Sequence, residues 1–151
     1  MSSISHQPNL ALLAPLLTLN AWTFIVEIWM YKARLTQLSK PEMKKYHNSM
    51  TRAEFDNIMP PQVRWVADNY NHMHEQPTQF YAINLALVML GTKSKLDLGL
   101  AWGYVGLRVW HSLEQGTRNH VMTRFKIFVS SSVVLAVMTA RAAWMFWGKM
   151  A

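Results

Sequence analysis

The sequence predicts an all-α integral membrane protein, a bundle of four helices that cross the bilayer. Four long and mostly apolar stretches alternate with polar segments, and each stretch can span a hydrocarbon core of about 30 Å. Charged residues make up 15% of the chain, whereas a soluble domain usually carries about 25%. Seven Trp and eleven Met suit a surface that packs against lipid. The 151 residues are expected to form a single domain, residues 1–151.

The first span is predicted at residues 10–31, which are mostly Leu, Ala, Ile, Val, Trp and Phe. At 1.5 Å per residue, a helix of this length covers about 33 Å. Pro15 is expected to kink the helix. Glu27 is expected to face protein or water, because a carboxylate in lipid is costly. No basic segment precedes the stretch, so we expect it to remain as a helix and not to be removed as a signal peptide.

The second span is predicted at residues 61–90, after a basic polar connector at residues 32–60. Pro61 fits the first turn of a helix. Pro77 is expected to bend the span between an amphipathic first half and an apolar second half. The first half carries a polar stripe at the spacing of one helix face, Arg64, Asp68, Asn71 and Glu75, with His72 and His74 beside it.

The third and fourth spans are predicted at residues 96–115 and 123–147. Ser130, Ser131 and Ser132 are small residues that allow close helix packing in the fourth span. Arg141 lies near the end of that span, where its side chain is expected to reach the lipid headgroups. The third span carries a second polar stripe, Tyr104, Arg108, His111 and Gln115.

The distribution of basic residues predicts the topology. Four spans in sequence place the first and third loops on one side of the membrane and both termini on the other. The first and third loops hold most of the basic residues, so the positive-inside rule places them in the cytoplasm. The formal net charge of +7 therefore indicates orientation and contact with anionic membrane lipids, not nucleic acid.

Several chemical classes find little support in the sequence. The chain has no cysteine, which excludes disulfides, thiolate metal sites and a protein thiol nucleophile. His72 and His74 are two residues apart and point in different directions on a helix. No HxxxH or HExxH pattern and no nucleophile elbow is present. We therefore expect no metal site and no serine-hydrolase triad.

The predicted topology brings the polar stripes to the cytoplasmic end of the bundle. Arg34, the start of the second span, the end of the third span and Arg124 all lie there. Several arginines and a carboxylate suit a small ligand with several charges, because arginine binds carboxylates in a bidentate manner. The alternative is structural: the stripes hold the helices together through interhelical hydrogen bonds.

Three segments together resemble the MAPEG superfamily, the membrane-associated proteins in eicosanoid and glutathione metabolism. Residues 64–81, from Arg64 through Glu75 and Pro77 to Phe80 and Tyr81, resemble the signature of its second helix. Residues 104–111 resemble its third-helix Arg-x-x-His segment, and residues 124–125 resemble the start of its fourth helix. The likeness extends over most of the chain with similar spacing.

The resemblance implies a four-helix subunit, a homotrimer, and glutathione bound between adjacent subunits near the cytoplasmic face. By position, Arg34 would contact a glutathione carboxylate and Glu75 the glutathione amino group. Arg124 would be the catalytic residue, lying near the sulfur and lowering the pKa of the thiol, which is about 8.5 in free cysteine. The thiolate would attack a lipophilic small molecule from the bilayer. The other ligand-contacting positions would be Asn71, His72, Arg108, His111 and Gln115.

This sequence also departs from the family pattern. Asn71 and His72 stand where the family usually has Arg then Asn, and Gln115 stands at a ligand-contacting Tyr position. Phe125 and Phe128 replace a Ser and a Tyr. Three hypotheses therefore stay open: a glutathione-dependent transferase or peroxidase, a membrane scaffold or lipid- or ligand-binding protein with reduced catalysis, and an enzyme that uses a different thiol or anionic cosubstrate.

Overall fold

A computed structural model describes residues 9–43 and 45–150, and these residues form helices, turns and no strands. The first long helix, α1, covers Leu13–Leu38 and follows a 3₁₀ turn at Leu10–Leu12. Asn9 caps this turn by accepting a hydrogen bond from the Ala11 N–H at 3.2 Å. Pro15 lies in the first turn of α1, where a missing N–H costs little. It therefore does not interrupt α1, and the expected kink stays a prediction.

The connector contains a helix that the sequence analysis missed. After a 3₁₀ turn at Pro41–Met43, helix α2 covers Arg52–Ile58. It begins with a capping box in which the Thr51 side chain and the Glu54 side chain satisfy each other's backbone N–H groups. Hydrogen bonds from the Thr51 backbone and side chain lower the pKa of the Glu54 carboxyl. The connector is thus a folded segment next to the end of α1.

The predicted second span consists of two helices, α3 at Pro61–His72 and α4 at Gln76–Met89. The interruption lies at residues 73–75, just before Pro77, because a proline at that position can neither donate to the Met73 carbonyl nor fit beside it. Glu75 has φ −91° and ψ −100°, outside the helical region. The break separates Glu75 from the stripe that was predicted on one continuous helix.

Helices α5 and α6 complete the fold, at Lys95–Thr117 and Val121–Met150. Helix α5 packs against α6, α3 and α1, and α4 packs against α6 and α1. The buried core lies between them, and in it the rings of Phe80 and Tyr104 stack with centroids 4.4 Å apart. The Gly116 Cα faces the Trp29 ring, so this glycine lets α5 approach α1 closely.

Two of these helical segments, Leu10–Leu38 and Val121–Met150, are long and apolar enough to cross a membrane. Only 28% and 22% of their most apolar windows are buried, so most of these side chains face outward. A core helix of a soluble protein would be mostly buried instead. Helix α5 is less apolar because it carries buried polar residues such as Asp97, Arg108 and Glu114. Membrane crossing by α5 and by α3 with α4 stays a prediction.

An ion pair joins α5 and α6 at the end of the bundle away from α2. Asp97 is fully buried and accepts hydrogen bonds from Arg141 Nε and from Thr92 Oγ1, the latter at 2.5 Å. Arg141 Nη2 also donates to Ser94 Oγ at 3.2 Å. The sequence analysis did not predict this pairing of Arg141 with a buried carboxylate, and its contact with lipid headgroups stays a prediction.

Candidate functional site

Three neighbouring cavities lie where α2, α3, the ends of α1 and α5, and the start of α6 meet. The largest, the polar cavity, measures about 630 Å³. It is lined by Arg52, Trp65, Asp68, Asn71, His72, His74, Glu75, Gln115, Asn119 and Arg124. Five of the eight residues that the sequence analysis proposed as a site therefore lie around one space: Asn71, His72, Glu75, Gln115 and Arg124.

The break between α3 and α4 presents Glu75 to the polar cavity. Because this residue lies between two helices, its side chain is 61% exposed and not buried in the bundle. One carboxylate oxygen lies 2.5 Å from Nδ1 of His72. The pair combines an acceptor for a ligand ammonium group with an imidazole that orients the carboxylate.

His72 also takes part in an aromatic stack that reaches α5 and α6. Its ring lies over the His111 ring with centroids 5.1 Å apart, and 5.6 Å from the Phe128 ring. His111 is almost fully buried, and it does not line the polar cavity. The structure thus places His111 behind His72, where it supports the cavity wall.

Arg108 lines none of these three cavities. Its side chain is fully buried, and Nη2 donates to the His72 carbonyl at 2.9 Å. That carbonyl belongs to the last residue of α3, where the helix break leaves it with a long backbone hydrogen bond, 3.4 Å from the Glu75 N. Arg108 therefore stabilises the break that presents Glu75, although the sequence analysis proposed it as a ligand contact.

Arg124 lies across the polar cavity, in the first turn of α6. Its Nη1 donates to Asn119 Oδ1 at 2.5 Å. Asn119 adopts a left-handed conformation with φ 56°, which asparagine tolerates better than most residues and which closes the turn between α5 and α6. The Arg124 Nε is buried and has no hydrogen-bond partner among the described residues.

An apolar cavity of about 230 Å³ adjoins the polar one. Arg124 and His72 line both cavities. The other lining residues of the apolar cavity are His111, Val121, Phe125 and Phe128. A group held against Arg124 would therefore lie at the boundary between polar and apolar space.

Arg34 faces a third space, the connector cavity, which measures about 400 Å³ between α1, α2 and α3. Its Nη2 lies 3.7 Å from Asp56 Oδ1, and its guanidinium lies over the Phe55 ring, 5.4 Å from the centroid. Arg34 does not line the polar cavity that contains Glu75, whereas Arg52 and Asn71 line both spaces. The resemblance places Arg34 and Glu75 on the same glutathione molecule. Within the subunit, these two residues line adjoining cavities.

Four residues that line or support the polar cavity were not predicted as site residues: Trp65, Asn119, and Arg52 and Asp56 on α2. One signal was available, because Thr51 followed by Glu54 three residues later is a capping-box pattern that predicts a helix beginning at residue 52. Nothing local to the sequence places that helix beside α3. In the part of the chain that the structure describes, no group of three or more His, Asp or Glu side chains is arranged to hold a metal ion.

Comparison with a protein-family model establishes the family that the three sequence segments resemble. The model of the MAPEG family matches residues 12–144. The chain belongs to the MAPEG family. The match includes every residue of the three cavities, from Met30 to Phe128. No curated protein and no solved structure shows a significant match.

Membership in the MAPEG family confirms the expectation of an all-α membrane protein. The family is membrane-integral and generally uses glutathione, and its members act in glutathione and eicosanoid metabolism. The outward-facing apolar residues of α1 and α6 agree with a lipid environment. The chain is therefore a membrane protein of a glutathione- and eicosanoid-related family.

Proposed function

We propose that this protein is a glutathione-dependent transferase or peroxidase that acts on a lipophilic electrophile or hydroperoxide. It crosses the membrane with α1, with α3 and α4 together, with α5 and with α6, as a four-helix bundle. The first and third loops lie in the cytoplasm, and both termini lie on the opposite side. Three copies form a homotrimer, with glutathione between adjacent subunits. The family match and the cavities within one subunit support this proposal.

The observation that carries the proposal is the position of Arg124 between two kinds of space. Glu75 and Arg124 line the same polar cavity, and Arg124 also lines the apolar cavity. Glutathione has an ammonium group for Glu75 and a thiol for Arg124. A sulfur held at Arg124 would border the apolar space through which a membrane-dissolved molecule could approach.

The chemistry that this arrangement supports begins with the loss of the thiol proton to water in the open polar cavity. Arg124 stabilises the resulting thiolate through charge, which lowers the thiol pKa from about 8.5. In a transferase reaction, the sulfur forms a bond to an electrophilic carbon and the leaving group departs with its electron pair. In a peroxidase reaction, the sulfur attacks the terminal hydroperoxide oxygen, the O–O bond breaks, and the alkoxide leaves with the electron pair and takes a proton from water to become the alcohol. The glutathione sulfur is left as a sulfenic acid. A second glutathione then forms the disulfide and water.

A second candidate is a membrane scaffold or ligand-binding protein that has lost much of this chemistry. Gln115 lines the polar cavity, and Phe125 and Phe128 line the apolar cavity. The resemblance places hydroxyl-bearing residues at these three positions. Without hydroxyl donors, the thiolate would depend on Arg124 and on backbone or amide groups. This observation favours weaker catalysis on a retained fold.

The deciding experiment measures glutathione conjugation of an aryl halide and reduction of a fatty-acid hydroperoxide by the purified protein in detergent or liposomes. We expect activity from the wild type, and a loss of roughly ten-fold or more in Arg124→Ala, because the variant lacks the cation beside the sulfur. Arg118→Ala removes an exposed arginine that lines none of the three cavities and serves as the matched control.

The results separate the three hypotheses. Activity that falls only in Arg124→Ala supports the transferase or peroxidase. Thermal stabilisation by millimolar glutathione without turnover supports the binding protein. Stabilisation by another anionic thiol, with no response to glutathione, indicates a different cosubstrate. No response to any thiol in the wild type contradicts the proposed function.

A further inference from the structure

We propose that Arg52, the first residue of α2, binds a carboxylate of the ligand in the polar cavity, and that Asp56 is its positioning residue. The inference rests on the proposed function in one respect, since it takes glutathione as the ligand. Helix α2 would then provide a contact to a glutathione carboxylate, which the sequence analysis expected from Arg34.

The polar cavity limits which cations can reach such a carboxylate. Arg52 and Arg124 are the arginines that line it among the described residues, and no lysine there lines it. Arg124 is the residue beside the sulfur in the proposed function. Arg34 does not line the polar cavity and lines the neighbouring connector cavity instead. Within one subunit, Arg52 is therefore the cation left for a carboxylate.

The charges around the polar cavity explain why a carboxylate needs such a cation. Asp68 and Glu75 both line this space and would repel an anion. Arg52 and Arg124 offset these two charges, so the cavity suits a ligand that carries both ammonium and carboxylate groups. Loss of Arg52 would leave two acidic side chains and one arginine around the ligand.

The contacts of α2 fix Arg52 at the cavity edge. Asp56 lies one turn further along the same helix, and its Oδ2 is 3.7 Å from Arg52 Nε while its Oδ1 is 3.7 Å from Arg34 Nη2. Both separations exceed hydrogen-bond distance. Asp56 therefore orients the Arg52 guanidinium through charge, and the N–H groups of Arg52 do not donate to Asp56. The Arg52 side chain is 71% exposed and can present those donors to a ligand.

The rest of α2 holds this arrangement against α1. Phe55 packs under the Arg34 guanidinium at 5.4 Å and against the Tyr46 ring at 6.1 Å. The capping box of Thr51 and Glu54 sets the first turn, in which Arg52 lies. Because Arg52 and Asn71 line both the polar and the connector cavities, the helix forms the wall between them.

The test measures glutathione affinity by calorimetry on the full-length protein in detergent, for the wild type and for Arg52→Gln. We expect Arg52→Gln to weaken binding by about ten-fold, the effect of one charge-assisted contact at an exposed site. Arg118→Gln is the matched control, since it removes the same charge from an exposed residue outside the three cavities. It should leave affinity within about two-fold.

Two ligand analogues show whether the lost contact is to a carboxylate. One is glutathione esterified at the glycyl carboxyl, and the other lacks the γ-glutamyl α-carboxylate. One of these analogues lacks the carboxylate that Arg52 contacts. Wild type and Arg52→Gln should bind that analogue with equal affinity, because this contact is absent in both. The wild type should bind glutathione more tightly than this analogue. The difference in affinity should be smaller in Asp56→Asn and close to the wild-type value in Asp56→Glu.

The outcomes distinguish this inference from the proposed function. Wild-type binding that is unchanged in Arg52→Gln overturns the role of Arg52 and leaves the proposed function standing. An equal loss for glutathione and both analogues overturns the carboxylate contact. Wild-type protein that binds no glutathione overturns both. Equal melting temperatures of the variants without ligand verify that each is folded.

Discussion

The ion pair between Asp97 and Arg141 gives the fold its most specific test. Asp97 has no exposed surface, and its carboxylate is held by Arg141 and Thr92. Arg141→Met keeps the length of the side chain and removes the charge. The carboxylate, which has no exposed surface, then keeps only the hydrogen bond from the Thr92 hydroxyl.

The size of the effect follows from burial. Removing one partner of a fully buried ion pair costs about 3–5 kcal/mol. The Arg141 side chain is 33% exposed, so water already solvates part of the pair; we therefore expect a loss of about 2–4 kcal/mol. For a chain of this length, that loss lowers the melting temperature by about 5–15 °C.

The assay is thermal unfolding of the detergent-solubilised variants, with Asp97→Asn and the double variant as partners in a cycle. Asp97→Asn should cost less, because Asn can still bond to Thr92 and the remaining Arg141 can reach water. The double variant should be more stable than the sum of the single losses predicts, since neither charge is left unpaired. Additive losses, or an Arg141→Met variant as stable as the wild type, would refute the pairing of α5 with α6 through these residues.

Three further predictions test other parts of the structure. Gly116→Ala should destabilise the protein by about 1–3 kcal/mol, because a Cβ at Gly116 would lie 2.7 Å from Trp29 Cζ3; thermal unfolding should show no such loss for Gly106→Ala, where no atom lies within 4 Å. Glu75→Gln should weaken glutathione binding in calorimetry by removing the negative charge that faces the ammonium group, and Arg34→Ala should also weaken it by removing a cation for a glutathione carboxylate; unchanged affinity in both would contradict the site. Thr51→Ala should speed amide exchange in α2 by roughly five-fold, the loss of a typical N-cap. Because the folded-state pKa of Glu54 is lowered, its contribution to the stability of α2 is present above the ordinary carboxyl pKa and is lost as the pH falls through the lowered value; protection factors in α2, corrected for the intrinsic exchange rate at each pH, that do not fall with acidification would exclude this role.

The sequence predicted those parts of the fold that depend on local composition. The apolar runs of α1 and α6 and the helix end near Pro77 follow from residue type and spacing alone. The partner of Arg141 could not be found this way, because Asp97 is 44 residues away along the chain and only the packing of α5 against α6 brings them together. Helix α2 was missed because the connector was judged by its charge, although the pattern at Thr51 and Glu54 indicated a helix.

The candidate site shows the same limit. Antiparallel spans bring the start of the second span and Arg124 at the start of α6 to one end of the bundle, and the structure places Glu75, at the break after α3, around the same cavity as Arg124. The sequence could not show that Arg34 pairs with Asp56, because that depends on how α2 packs against α1. The placement of Arg108 behind the cavity follows from the break at residues 73–75, which exposes a carbonyl for it to bind.

The central claim is that the polar cavity binds glutathione with its thiol beside Arg124. The most direct measurement is a pH titration of the ultraviolet thiolate absorbance of glutathione bound to the detergent-solubilised protein. The account predicts a midpoint clearly below about 8.5 for the wild type, and a return toward that value in Arg124→Ala but not in Arg118→Ala. A wild-type midpoint equal to that of free glutathione, with the ligand shown to be bound, would contradict the account.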